Sequence, residues 1–72
     1  MARAKHTLTV EFEKELDGRW IAEIRKVPGA LAYGKTKSEA RAKATAIALR
    51  ALADRVEQQK PTPVIGKMFV SA

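Results

Sequence analysis

A single long helix, bounded at both ends by its own sequence signals, constrains the fold of this 72-residue chain more than any other feature. Thr36 and Glu39 form a capping box, in which the threonine hydroxyl accepts from an N–H group of the first turn and the glutamate reaches back. Good helix formers follow as far as Pro61, which cannot continue a helix. We therefore predict a helix over about residues 37–59, which leaves only short elements for the rest of the chain.

Two apolar strips run along this predicted helix. The larger strip covers an arc of about 140° and is mostly alanine, so the helix can lie close against a sheet. It consists of Ala40, Ala44, Ile47, Ala48, Ala51 and Leu52. The smaller strip consists of Leu49, Ala53 and Val56. A lone helix on one sheet has no intramolecular use for it, so we predict an interface there; the alternative is scattered surface alanines and one exposed leucine.

Three short strands precede the helix in our prediction, over about residues 6–15, 19–25 and 31–34. Apolar and polar residues alternate strictly over residues 7–13, as in a half-buried strand. Asp17-Gly18 favours a tight hairpin in which both central residues have positive φ. Pro28-Gly29 has the pattern of a type II turn. These signals predict an antiparallel meander.

Residues 64–70 have the pattern of a fourth strand after a proline-containing linker. A right-handed crossover would place this strand parallel to the first, in the order 3-2-1-4, with the helix on one face. The prediction is thus one α+β domain over residues 1–72, with the order β-β-β-α-β. The other face would stay uncovered, which is a further reason to expect pairing; it carries Thr7, Thr9, Glu11, Glu13, Ile21 and Glu23.

The small size of the chain favours self-association. Small domains often gain stability in this way, so we expect a homo-oligomer, a dimer or higher.

Composition excludes several classes of site. Without cysteine and with one histidine, the chain has no disulfide and few ligands for zinc, and we expect no metal and no cofactor. No stretch approaches the roughly 20 apolar residues of a membrane span. We predict a cytoplasmic protein with no membrane partner.

Positive charge dominates the second part of the chain. The net charge is +6, and residues 25–72 carry ten basic and three acidic side chains. A surplus of this kind attracts polyanions without sequence preference. Possible polyanion contacts are Lys37, Arg41, Lys43 and Arg50, which lie on the flanks of the helix and not in one stripe. Nucleic-acid binding is therefore possible but weak.

Residues that could carry catalysis are few. Glu11 and Glu13 share one face of the first strand, but alternating glutamates on a strand are usually a solvated face and not a metal site. No serine has a plausible base, so we predict that the chain is not an enzyme. Trp20 and Tyr33 could stack on bases, although such residues more often anchor a small core.

A spaced set of residues resembles the central signature of the HicB-like antitoxin family over residues 8 to about 56. The set is Asp17-Gly18, Trp20 with Ala22, Pro28-Gly29, Gly34 with Thr36, and Glu39-Ala40 with Ala44. The resemblance implies a partial ribonuclease H-like fold. Many members of the family carry a C-terminal DNA-binding domain, and we expect this chain to be a short, single-domain member without it. It also implies a non-catalytic protein-interaction module of a type II toxin-antitoxin system.

The partner implied by this resemblance is a small HicA-like toxin that cleaves messenger RNA and that the antitoxin binds and neutralises. The residues of the signature are mainly structural in this interpretation. The alternative is a solitary, diverged homologue that acts as a small basic nucleic-acid-binding protein.

Overall fold

A computed structural model of the chain describes residues 7–69 and 71. The elements in order are β1 (Glu11–Lys14), β2 (Trp20–Glu23), β3 (Leu31–Gly34), α1 (Lys37–Glu57) and α2 (Pro63–Met68). The strands form one antiparallel sheet in the order β1-β2-β3, and α1 packs against β2 and β3. The predicted α+β arrangement of an antiparallel meander followed by a helix is confirmed.

The first hairpin differs from the two-residue turn that Asp17-Gly18 predicts. The Gly18 N–H donates to the Glu15 carbonyl at 3.0 Å, and the Glu15 N–H donates to the Arg19 carbonyl at 2.7 Å. Gly18 has φ of +91°, whereas Asp17 does not have a positive φ. This is the pattern of a three-residue loop that ends in a glycine bulge, so only one position needs a positive φ.

The second turn is the predicted type II turn. The Ala30 N–H donates to the Val27 carbonyl at 3.0 Å, and Gly29 has φ of +87°. A further bond from the Val27 N–H to the Ile24 carbonyl, at 3.0 Å, turns the chain as soon as it leaves β2. Residues 7–10 would have to pair with that turn to extend the sheet. For this reason β1 begins only at Glu11 and β2 already ends at Glu23, whereas the predicted ranges were 6–15 and 19–25. Residue 6 lies outside the described part.

Both ends of α1 are fixed by local hydrogen bonds. The Glu39 N–H donates to the Thr36 hydroxyl at 3.0 Å, and the Glu39 carboxylate accepts from the Lys35 N–H at 3.4 Å, one residue before the expected position. At the other end Gln59 has φ of +58°, and the Lys60 N–H donates to the Arg55 carbonyl at 2.9 Å. This left-handed residue ends α1 at Glu57, two residues before the predicted end.

The core lies between α1 and the sheet and is built from small side chains. On α1 the buried residues are Ala40, Ala44, Ala48 and Leu52, with Ile47 and Ala51 half-buried beside them. On the sheet and its second turn they are Ala22, Ile24, Val27, Ala30 and Ala32. The predicted core face of the helix is thus confirmed, and its alanines allow α1 to approach the strands closely.

The predicted fourth strand over residues 64–70 is wrong. Pro63–Met68 forms the helix α2, with Pro63 in its first turn and a bond from the Gly66 N–H to the Thr62 carbonyl at 2.8 Å; residue 70 lies outside the described part. A short apolar run cannot be assigned to strand or helix by periodicity, and the fixed φ of proline favours a helix start. Ile65 packs against the core instead of pairing with β1. Among the described residues, the sheet therefore has three strands with β2 in the middle, and not the four predicted in the order 3-2-1-4.

Candidate protein-interaction surface

The face of the sheet opposite α1 carries a mixed apolar and acidic surface, which we call the open face. It is defined by Glu11, Glu13, Ile21, Glu23, Leu31 and Tyr33, which alternate with the residues that point to the core. Leu31 and Tyr33 are each 41% exposed, although both are large apolar side chains. Exposed apolar groups beside each other on a sheet are typical of surfaces that bind another protein.

Strand register divides the open face into two halves. Ile21 lies between Glu13 and Tyr33 in one cross-strand row. Glu23 lies between Glu11 and Leu31 in the next row. The carboxylates are therefore gathered towards β1 and the apolar groups towards β3, so that a partner would meet an apolar patch with an acidic border.

Arg25 connects the two acidic residues that face each other across the strands. Its Nε lies 2.7 Å from Glu11 Oε2 and 3.8 Å from Glu23 Oε1. All three side chains are well exposed, so these pairs contribute little to stability. One guanidinium balances only one of the three carboxylates of the open face, and a cavity of about 130 Å³ lies among them. The border keeps a negative charge and room for a basic side chain.

Arg19, which follows the loop of the first hairpin, covers Tyr33 in the apolar half of the open face. Its guanidinium carbon lies 4.6 Å from the centre of the Tyr33 ring, and its Nε lies 2.8 Å from Asp17 Oδ2. The backbone N–H of Arg19 also donates to Asp17, and this bond is the largest cause that lowers the pKa of that carboxyl. Leu16, at the tip of the same hairpin, is fully exposed. Tyr33 is thus a surface residue and not the core anchor that was expected.

Trp20 is half-buried at the other side of the sheet and is surrounded by lysines. Lys14 Nζ lies 5.8 Å and Lys37 Nζ lies 5.6 Å from the centre of its ring. Lys37 Nζ also lies 4.7 Å from the centre of the Phe12 ring. Cations at these distances are attracted by the ring faces. Trp20 therefore contributes to the margin of the core and presents a basic and aromatic cluster to solvent.

The smaller apolar strip of α1 lies on its outer face, as its spacing predicts. Leu49 is 56% and Val56 is 45% exposed, and Ala53 between them is exposed. Leu49, Ala53 and Val56 are separated by steps of four and three residues. Such spacing places side chains in one line along a helix and is the pattern of a helix–helix seam. The strip remains a predicted interface.

The four predicted polyanion contacts have different surroundings. Lys43 Nζ forms an ion pair with Glu39 Oε1 at 3.2 Å, and the hydrogen bond from Lys43 is the largest cause that lowers the pKa of Glu39. Lys37 lies over the aromatic rings. Arg41 and Arg50 are exposed and have no ion-pair partner within residues 7–69 and 71. Two of the four are therefore available to an anion.

The residues of the family-like signature have structural surroundings in this fold. They lie in the two turns, at the helix start and in the core: Asp17, Gly18, Trp20, Ala22, Pro28, Gly29, Gly34, Thr36, Glu39, Ala40 and Ala44. Sequence reasoning placed the acidic half of the open face correctly but did not assign Leu31 and Tyr33 to it. The alternation within residues 31–34 could have shown this, because buried Ala32 and Gly34 leave the other two on the open face.

The described part of the chain holds no group of three or more histidine, cysteine, aspartate or glutamate side chains arranged to bind a metal ion. Nor does it contain a helix of the length and apolarity that crossing a membrane requires. Neither family models, nor curated proteins, nor solved structures match this chain. The open face, the outer strip of α1 and the basic side chains are thus the features on which a function can be argued.

Proposed function

We propose that this chain is a non-catalytic protein-interaction module of the HicB-like antitoxin type, which binds and neutralises a small HicA-like toxin that cleaves messenger RNA. The observation that carries the proposal is the open face, where Ile21, Leu31 and Tyr33 form an apolar patch with an acidic border. Because α1 packs against the other face, no helix of the described part of the chain covers this surface.

The charge distribution supports a basic partner. Although the chain as a whole is basic, the carboxylates of Glu11, Glu13 and Glu23 are gathered on the open face, and Arg25 is the basic side chain placed between two of them. A toxin that binds RNA needs a positively charged surface. Complementary potentials speed association and fix orientation, while an aromatic anchor such as Tyr33 supplies most of the affinity.

We also propose that two copies of the chain pair through the outer strip of α1, as part of the same module. Leu49 and Val56 would be anchors in this contact, and Ala53 would let two helices approach closely. The open face and the outer strip lie on opposite sides of the molecule. A dimer formed in this way would leave both toxin-binding faces accessible.

The toxin-binding proposal is tested with a toxin candidate encoded beside this chain. We expect co-expression to relieve the growth arrest that the toxin causes, and the purified chain to inhibit messenger-RNA cleavage. Tyr33→Ala and Glu13→Lys should each weaken inhibition by about tenfold or more, since the first removes an aromatic anchor and the second reverses a border charge. Inhibition constants from a cleavage assay with titrated protein measure this effect.

Leu49→Glu is the matched control for this experiment. It places a charge on the outer strip, so sedimentation should show a monomer, while inhibition of the toxin stays within about twofold of the wild type. Retained inhibition by both open-face variants would contradict the proposed surface. A missing neighbouring toxin, together with no partner in pull-down experiments, would refute the toxin-binding role.

A second candidate function, binding of single-stranded nucleic acid, is favoured by two observations. Arg41 and Arg50 have no ion-pair partner in the described residues, and Trp20 lies beside two lysines. An aromatic ring with nearby cations can hold a base and its phosphates. If this is the function, affinity for an oligonucleotide should stay micromolar at about 150 mM salt, and Trp20→Ala should reduce it; loss of all binding at that salt would leave only counterion release.

A further inference from the structure

An apolar groove lies where the C-terminal half of α1 meets the second turn and the segment that leads into α2. Its volume is about 360 Å³, which is within the range of small-molecule sites of about 300–1,000 Å³. Its lining residues come from four separate segments: Leu8, Lys26, Val27, Leu52, Arg55, Pro61, Thr62, Pro63 and Val64. None of these contributes to the open face, so the groove is a separate feature of the molecule.

Two cations border this otherwise apolar groove. Lys26 lies in the turn between Ile24 and Val27, Arg55 lies on α1, and both side chains are exposed. Neither has an ion-pair partner among residues 7–69 and 71. Among the described residues, the lining contains no acidic side chain, and its remaining polar side chain is that of Thr62. An anion at the border would therefore meet two unsatisfied positive charges and no repulsion from within the groove.

The lining also limits the shape of a ligand. The apolar groups that the structure describes there are aliphatic side chains and proline rings, with no aromatic ring among them on which a planar ligand could stack. An apolar groove gains affinity from the hydrocarbon that it removes from water. Two cations on different walls suit one small anionic head group, since a long polyanion would need a continuous row of positive charges.

We propose that this groove binds an amphipathic monoanion, an unbranched aliphatic carboxylate, with its chain in the groove and its carboxylate between Lys26 and Arg55. Arg55 can donate two parallel hydrogen bonds to a carboxylate, and Lys26 adds a point charge. Leu52 and Val27 line the part of the groove nearest the core, so a bound chain would extend the core towards α2. The proposal does not depend on the toxin-binding role of the open face.

The test uses decanoate and decyltrimethylammonium below the concentrations at which they form micelles, and decanol below its solubility limit. They share a ten-carbon chain and differ in head-group charge. In a methyl NMR titration of the full chain we expect decanoate to give saturable shifts at Val27, Leu52 and Val64. Decanol should bind about tenfold more weakly, because it lacks the charge that strengthens hydrogen bonds from Lys26 and Arg55, and decyltrimethylammonium should not bind, because these two cations repel its head group.

Charge reversal at the border isolates the head-group contact. Lys26→Glu and Arg55→Glu should each weaken decanoate binding by about tenfold, since each replaces an attraction with a repulsion. Lys67→Glu is the matched control: it changes the net charge equally and lies on α2 outside the lining, so it should leave affinity within about twofold. All three positions are exposed. The NMR spectrum of each variant is compared with that of the wild type before the titration, to verify that the variant is folded.

Three outcomes would overturn the proposal. The first is equal affinity for decanoate and decanol, which would make the groove a plain apolar crevice. The second is a set of shifts confined to the open face. The third is binding to vesicles of anionic lipid without binding of monomeric decanoate, which would indicate a lipid surface as the ligand. Failure of toxin neutralisation would leave this result unchanged, so the two proposals fail separately.

Discussion

Replacing Gly34 with alanine is expected to lower the free energy of unfolding by about 3 kcal/mol or more, at or beyond the upper end for overpacking a tight contact. A Cβ at this position would lie within 3.0 Å of backbone atoms of Glu39 and Ala40. These atoms belong to the first turn of α1, which the Thr36 cap holds in place, so they cannot move as a side-chain end could. The sheet and the helix would have to separate.

Gly66→Ala is the matched control for this substitution. No atom lies within 4 Å of a Cβ added at Gly66, which is in α2 and does not have a positive φ. Alanine there should be neutral or stabilising by up to about 1 kcal/mol. Urea unfolding of both variants and the wild type measures the difference. Similar stabilities for all three would contradict the close approach of α1 to β3.

The second large effect is expected for Ala44→Leu. Ala44 is 0% exposed at the centre of the contact between α1 and the sheet, and three more carbon atoms have no space there. Overpacking of a closed core typically costs about 1–3 kcal/mol. For a 72-residue domain, with a stability of roughly 4–10 kcal/mol, this loss is a large fraction.

Ala42→Leu provides the comparison, because the same change occurs two residues away on the exposed side of α1. Its effect on the free energy of unfolding should stay within about 0.5 kcal/mol. Thermal and urea unfolding of the two variants measure the contrast. If the two variants lost the same amount of stability, or if neither lost any, α1 would have to pack with a different face than the one described.

The helix and its core face could be predicted from sequence because strong local signals agreed there. The capping box at Thr36 sets the start, and the spacing from Ala40 to Leu52 identifies the buried side. The third strand was predicted with its observed bounds, since Pro28-Gly29 places a type II turn before it and Gly34 ends it. In each case the residue types restrict the backbone within a few positions, whatever the rest of the chain does.

The predictions failed where a residue pattern fits more than one type of element, or where the contact that decides between them is distant in sequence. The run from Val64 to Met68 suits a strand or a helix, and Pro63 together with the packing of Ile65 decides for a helix. The first hairpin was misassigned because Asp17-Gly18 occurs both in two-residue turns and before a glycine bulge. Turn type depends on the register of the strands, which two residues do not determine.

The candidate surfaces were partly predictable. The acidic half of the open face and the exposed Leu49 and Val56 follow directly from strand and helix periodicity. The groove at Lys26 and Arg55 was not predicted, because its lining comes from four segments that meet only once α2 is placed correctly. A site built from distant segments leaves no spacing for a sequence pattern to show.

The alanine contact between α1 and the sheet also determines how sharply the fold responds to temperature. Alanine removes little apolar area from water per residue, so the heat-capacity change of unfolding should be small and the stability curve flat. A chain of 72 residues unfolds with an enthalpy of only about 50 kcal/mol, and hence a broad transition. Since the entropy of unfolding is equally small, each kcal/mol of binding free energy raises the midpoint by roughly 4–8 °C. The melting temperature of this domain is therefore a sensitive reporter of whatever occupies its open face or its groove.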